Sequence, residues 1–303
     1  MAKGSVGSAW SFWKTIRTLS PKTIEQEAAQ PFKLALVGDG AKRLQLREAL
    51  LTESATASDR VAAAQYVDER EAAPDAAESR DYAFVLYASG GEGTIGARGP
   101  NAVPLVGSPE EVASQMLVQR PDLAVALGRR LPLFRPAAAK KLIDDTSRVN
   151  AKFALLSALP GVIPITAIFL PASAVADTII LTKNQIMMVM RLAALYGHKP
   201  GYTKQIKELF GTIGGALGWR TVARQLAGFV PAGVGMALKG SIAFAGTYAT
   251  GRTALWFYQT GRTLAPSEIR EIYANKLKDA RAEVKAIQRE DEEAATSGKE
   301  VVK

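Results

Sequence analysis

Apolar and polar positions follow three regimes along the chain. In residues 6–20, Trp10, Trp13, Ile16 and Leu19 recur at helical spacing with Lys14 and Arg17 between them, which predicts an amphipathic helix in an N-terminal segment, 1–30. The second regime is short apolar runs. Leu34 to Val37, bounded by Pro31 and Gly38, predicts a buried strand, and Ala41 to Leu51 a helix. Val61 to Val67 fits a strand or a short helix, Glu69 to Arg80 a surface helix or loop, and Asp81 to Tyr87 is the clearest strand. Ala102 to Val106 fits a short strand that Pro104 weakens, and Ser108-Pro-Glu-Glu carries an N-cap, a proline at N1 and first-turn acids. Strands alternating with helices predict a small parallel α/β unit over 31–125.

The third regime begins at Pro121 and reads as helical throughout. Ala137 to Leu159 and Ser173 to Gly197 are each expected to form one helix, the second stopped by Gly197 with Pro200 close behind. Lys204 to Trp219 and Leu226 to Gly251 are glycine-rich, the latter apolar and broken by Pro231 and Lys239. Pro266 opens the last helix, on which Tyr273, Leu277, Ala280, Val284 and Ile287 form one four-three seam, for internal docking or for a protein partner. The expected organisation is a helical, membrane-associated domain over 126–290, rich in helical hairpins, and a disordered, charge-dense tail over 291–303.

Between Phe153 and Ala176 no residue is charged, and Arg129, Arg130, Arg135, Lys140, Lys141, Arg148 and Lys152 precede the run. A run of that length suffices for a bilayer, but Pro160, Pro164 and Pro171 leave carbonyls unpaired, which a lipid-exposed helix tolerates poorly. Two antiparallel half-helices fit better, either as a membrane hairpin or inside a soluble bundle.

Composition narrows the chemistry. The chain has no cysteine and one histidine, His198, so disulfides, thiolate catalysis, zinc sites and the usual triads lack material. No cofactor and no metal site are expected. The net charge of +9 fits an anionic partner, a phospholipid surface or a nucleic acid; the basic stretch at 129–152 has a single aromatic, Phe134, among its cations, which makes nucleic acid the weakest option, and membrane lipid is the expected partner. The N-terminus has no continuous apolar segment of the secretory type. The expected location is the cytoplasmic side of the inner membrane, with the cytoplasm as the alternative.

LALVGDGAKRLQLREALL is similar to the first strand, loop and helix of a GTPase-like domain. Gly38, Gly40 and Lys42 are the candidate anion-binding loop. A phosphate loop needs Gly-Lys-Ser/Thr where Arg43, Leu44 and Gln45 stand, and no downstream base-reading motif follows. GTP hydrolysis is therefore not expected, and nucleotide binding stays open. The glycine-rich stretch from Ser89 to Gly99 fits an ordinary turn or a phosphate cradle.

In LTKNQIMMVMRLAALYG and the residues just before it, Ile179, Ile186, Met190 and Ala193 fit one apolar stripe, read as core packing with methionine as filler. Asp177, Lys183, Asn184 and Gln185 form a polar cluster between the apolar turns. It fits a functional or specificity site, or structural pairing such as Asp177 with Lys183.

The proline-broken ALPGVIPITAIFLP, the following ADTIILTKNQ, the ending MRLAALYG and the later VPAGVGMALKGSIAFAGTYATGRTALWFYQTG together resemble the YcjF-like bacterial domain of unknown function, over about residues 125 to 265. The resemblance implies a helical, membrane-associated module often attached to an Era-like GTPase domain, here a degenerate one upstream. It supplies no catalytic residues. The expectation is a non-enzymatic interaction or regulatory protein; the alternatives are a nucleotide-binding regulator without hydrolysis, or a pore or transport component.

Overall fold

The computed structural model of the chain describes residues 20–51, 56–87, 101–104, 108–157, 170–198 and 235–300, of which 42, 170–179, 235–236, 291–292 and 294–300 are described by backbone alone. The expected N-terminal helix, the glycine-rich stretch 89–99 and the proline-broken segment 158–169 lie outside these residues. The chain divides into two compact units, one of Lys22–Lys141 with Ala193–Pro200, the other of the remaining residues. The first is wider than the expected 31–125, because it takes in a helix before the sheet and the start of a helix after it.

The sheet-bearing unit contains α1 (Lys22–Ala29), β1 (Leu34–Val37), α2 (Gly40–Leu51), α3 (Ala57–Ala64), β2 (Val67–Arg70), β3 (Phe84–Tyr87), β4 (Ala102–Pro104), α4 (Pro109–Gln119) and α5 (Ala124–Arg130). All strand pairs are parallel and the order is β2-β1-β3-β4, with Leu34 opposite both Val67 and Phe84 and Val85 opposite Ala102. β1 is wholly buried, which is why its sequence is an unbroken apolar run rather than an alternation. The edges are handled differently. β2 is charged, Val-Asp-Glu-Arg, and β4 ends on Pro104, whose missing N–H is tolerated only at an edge.

Residues 61–67 resolve as the end of α3 and the start of β2. Thr56 and Asp59 cap α3 reciprocally, a capping box that fixes a helix start before the ambiguous residues. Ser108 and Glu111 do the same for α4, with Pro109 at N1.

The helical unit is built from α6 (Phe134–Leu156), α7 (Leu170–Leu195), α8 (Gly235–Thr260) and α9 (Pro266–Glu300), the unit boundary falling inside α6 and α7. Two glycines with positive φ stop α7 and α8. At Gly197 (φ +80°), His198 N–H donates to Ala193 and Gly197 N–H to Ala194, a Schellman ending. At Gly261 (φ +70°) a single bond to Phe257 closes α8. The seam on α9 packs inward: Ala280, Val284 and Ile287 form one core with Ala151, Leu155 and Phe244. Lys276 lies over the rings of Phe244 and Tyr248, and Arg148 reaches Glu290 at 2.6 Å. The expected tail is helical as far as Glu300, since alanines and glutamates propagate a helix already fixed by its seam. No helix among the described residues is long and apolar enough to cross a membrane.

Candidate functional site

Two places carry the predicted site residues. The first is the turn from β1 into α2. Only Gly38 and Asp39 separate the strand from the helix, so there is no wrapped loop of the phosphate-binding kind. The strand order reverses between β1 and β3, which makes this turn the topological switch point where doubly wound sheets place ligands. Here the turn is filled by the protein's own groups. Gly38 has φ +149°, and its N–H donates to the Arg70 carbonyl at 3.2 Å. Arg43 folds back from the first turn of α2, and its Nη1 donates to the Gly38 carbonyl at 2.8 Å. The same guanidinium lies 3.8 Å from the carboxylates of Glu69 and Glu71, and Arg47 holds Glu69 from the other side at 3.0 Å. Gly40 is the first residue of α2; the side chain of Lys42 lies outside the described residues.

The second place is inside the helical unit. Asn150 on α6 is fully buried, and its Nδ2 donates to Thr247 Oγ1 on α8 at 2.8 Å and to the Leu181 carbonyl on α7 at 3.2 Å. Its Oδ1 accepts from Asn184 Nδ2 at 2.8 Å. Gln185 Nε2 donates to the same Thr247 hydroxyl at 3.2 Å. Three helices therefore meet on one amide network. Its surroundings are apolar, with Ala154, Leu181 and Ala243 forming the adjoining core, so each bond replaces water that cannot enter freely.

The predicted cluster is thus divided. Asn184 and Gln185 come together, but Lys183 is exposed, one helical step of about 100° away from Asn184. Asp177 lies on α7 with its side chain outside the described residues. Asn150 and Thr247 are the members that the sequence reading missed. Their signal was a polar residue at a core position: Asn150 follows Ile143 and Ser147 at helical spacing, and Thr247 follows Phe244 and precedes Thr250. On α8 the hydroxyls of Ser241, Thr250 and Thr253 donate back to carbonyls four residues earlier, whereas Thr247 accepts across helices.

Chemically the network is limited. Amides and a hydroxyl neither titrate near neutrality nor offer the anionic or imidazole ligands that a metal prefers. Among the described residues no group of three or more His, Asp or Glu is placed to hold a metal ion. What the arrangement can do is fix the register of three helices. No family model, curated protein or solved structure matches the chain.

Proposed function

We propose that the chain is a non-catalytic interaction or regulatory protein that works at the cytoplasmic face of a bacterial inner membrane, with an α/β unit that keeps a GTPase-like outline without its chemistry. The observation that carries this reading is the closure of the β1–α2 turn, where Gly38 and Arg43 are bonded to the protein itself. A phosphate there meets a donor already used and two carboxylates, Glu69 and Glu71, that repel it. The resemblance of the helical region to the YcjF-like domain, and its uncharged run flanked by cations, support the membrane part.

Calorimetry with GTP, ATP and guanosine tetraphosphate tests the first part. No binding heat is expected, and saturable heat with any of them favours a nucleotide-responsive regulator instead. Cell fractionation with an alkaline carbonate wash tests the second: membrane recovery is expected, and recovery wholly in the soluble fraction removes the location.

A further inference from the structure

The arginines of the sheet-bearing unit are of two kinds. Arg43, Arg47, Arg60, Arg70 and Arg120 each form an ion pair with a carboxylate. Arg129 and Arg130, adjacent in the last turn of α5, have no carboxylate at ion-pair distance among the described residues, although both are half-buried. Arg129 Nη1 donates to the Ala194 carbonyl at the end of α7, at 3.1 Å, and lies 3.5 Å from the His198 carbonyl. Arg130 makes no hydrogen bond among the described residues; its guanidinium carbon stands 5.2 Å from the centre of the Tyr66 ring. Tyr66 is held from two sides, since its carbonyl accepts from Leu34 N–H at 2.8 Å and its ring stacks on Phe32 at 4.9 Å. Burial lowers the Arg129 pKa from its ordinary value, the like charge of Arg130 acts in the same direction, and the Tyr66 phenol opposes them.

The charge left at this place can be counted. The two guanidiniums stand beside the carbonyl ends of α5 and α7, each equivalent to at most about half a negative charge. Roughly one positive charge is therefore uncompensated, and a singly charged anion balances it. A nucleoside triphosphate, with about four charges, would set its excess against the carbonyl ends of two helices. A single-stranded nucleic acid needs a track of cations and a ring for stacking; here the cations are two, and the ring beside them is engaged by Phe32 and Arg130.

We propose that Arg129, Arg130 and the Tyr66 hydroxyl form a site for one singly charged phosphodiester group. The guanidiniums supply charge-assisted donors, of which a single one, Arg129 Nη1, is spent on the protein's own carbonyls, and the phenol supplies a neutral donor. The same chemistry is carried by a phospholipid headgroup and by a free diester, so the site does not depend on the membrane location.

Two arms on the full chain test it: calorimetry with soluble glycerophosphoglycerol, and co-sedimentation with phosphatidylcholine vesicles with and without phosphatidylglycerol. The wild type is expected to bind, and Arg129→Gln/Arg130→Gln to lose at least about tenfold in affinity. Arg47→Gln/Arg60→Gln removes two ion-paired cations from the same unit and is expected to bind as the wild type. Should the first double variant fail to fold, Arg130→Gln and Tyr66→Phe read the same site, with about a fivefold loss expected for Arg130→Gln. A loss seen with vesicles, alone or in both arms, assigns the group to a lipid headgroup; a loss confined to the soluble compound assigns it to a free diester. No saturable binding by the wild type in either arm overturns the site, as does binding that these variants leave unchanged. Tighter binding of a single-stranded oligonucleotide, lost in the same variants, assigns the arginines to nucleic acid and also overturns it.

Discussion

Asn184 Nδ2 donates to Asn150 Oδ1 at 2.8 Å, and this bond ties α7 to α6. Asn150 spends its two amide hydrogens on Thr247 and on the Leu181 carbonyl, so one side chain holds three helices. Asn150→Leu leaves the Asn184 amide and the Leu181 carbonyl without that partner while adding no cavity. The expected loss is about 2–4 kcal/mol by urea unfolding, with α-helical circular dichroism retained. In a double-mutant cycle, Asn150→Ala and Asn184→Ala are expected to couple by about 1 kcal/mol. Strict additivity would show that the bond contributes nothing.

Gly251 and Gly246 lie on the same helix and predict opposite outcomes. A Cβ at Gly251 falls 2.7 Å from Ile143 Cγ1 and 3.1 Å from Met188 Cε, so α6 and α7 approach α8 through the missing side chain. Gly251→Ala is expected to cost about 1–3 kcal/mol, and Gly251→Ala with Ile143→Ala to cost less than the two single changes summed. At Gly246 nothing lies within 4 Å of the added carbon. Gly246→Ala is expected to raise stability by up to about 1 kcal/mol through helix propensity alone. Thermal unfolding of the two single variants checks the contrast.

These contacts show which parts of the fold could be read beforehand. The strands at 34–37 and 84–87 were legible because strands buried on both faces are unbroken apolar runs. The start at Ser108, the stop at Gly197 and the seam from Tyr273 to Ile287 were legible because caps and helical periodicity act locally. Asn150 and Thr247 were not, since they are 97 residues apart in sequence and only the packing of three helices makes them neighbours. Lys183 misled for the converse reason: it adjoins Asn184 in sequence, yet one helical step turns it to solvent. At the end of α9 the charge density of the sequence hides the helix propensity of its alanines and glutamates.

Tyr258 gives the helical unit an alkaline limit. Its phenol is only 7% exposed, and burial pushes its pKa from 10.0 up to about 12. The folded value exceeds the unfolded one, so the stabilisation of the neutral phenol is complete below about pH 10 and is lost as the pH rises towards about 12. Two units correspond to about 2–3 kcal/mol. Stability from pH 8 to 11 is expected to fall more steeply in the wild type than in Tyr258→Phe. Equal slopes would show that Tyr258 does not titrate differently on unfolding.

Arg43 separates the structural from the functional account of the β1–α2 turn. Its side chain is 15% exposed, its Nη1 bonds the Gly38 carbonyl, and its buried Nε meets Glu69 only at 3.8 Å, beyond hydrogen-bond length. If the guanidinium is there to close the turn, Arg43→Met loses the bond to Gly38 and leaves Glu69 and Glu71 less compensated. A loss of about 1–3 kcal/mol is expected, with no nucleotide binding before or after. Because removing Arg43 strips a cation from two carboxylates, Arg43→Met/Glu69→Gln is expected to be more stable than Arg43→Met alone. If Arg43 instead served to hold a bound phosphate, the unliganded chain would be little affected by Arg43→Met, and binding heat present in the wild type would vanish. Unfolding and calorimetry on the same two variants therefore distinguish a closed turn from an anion site.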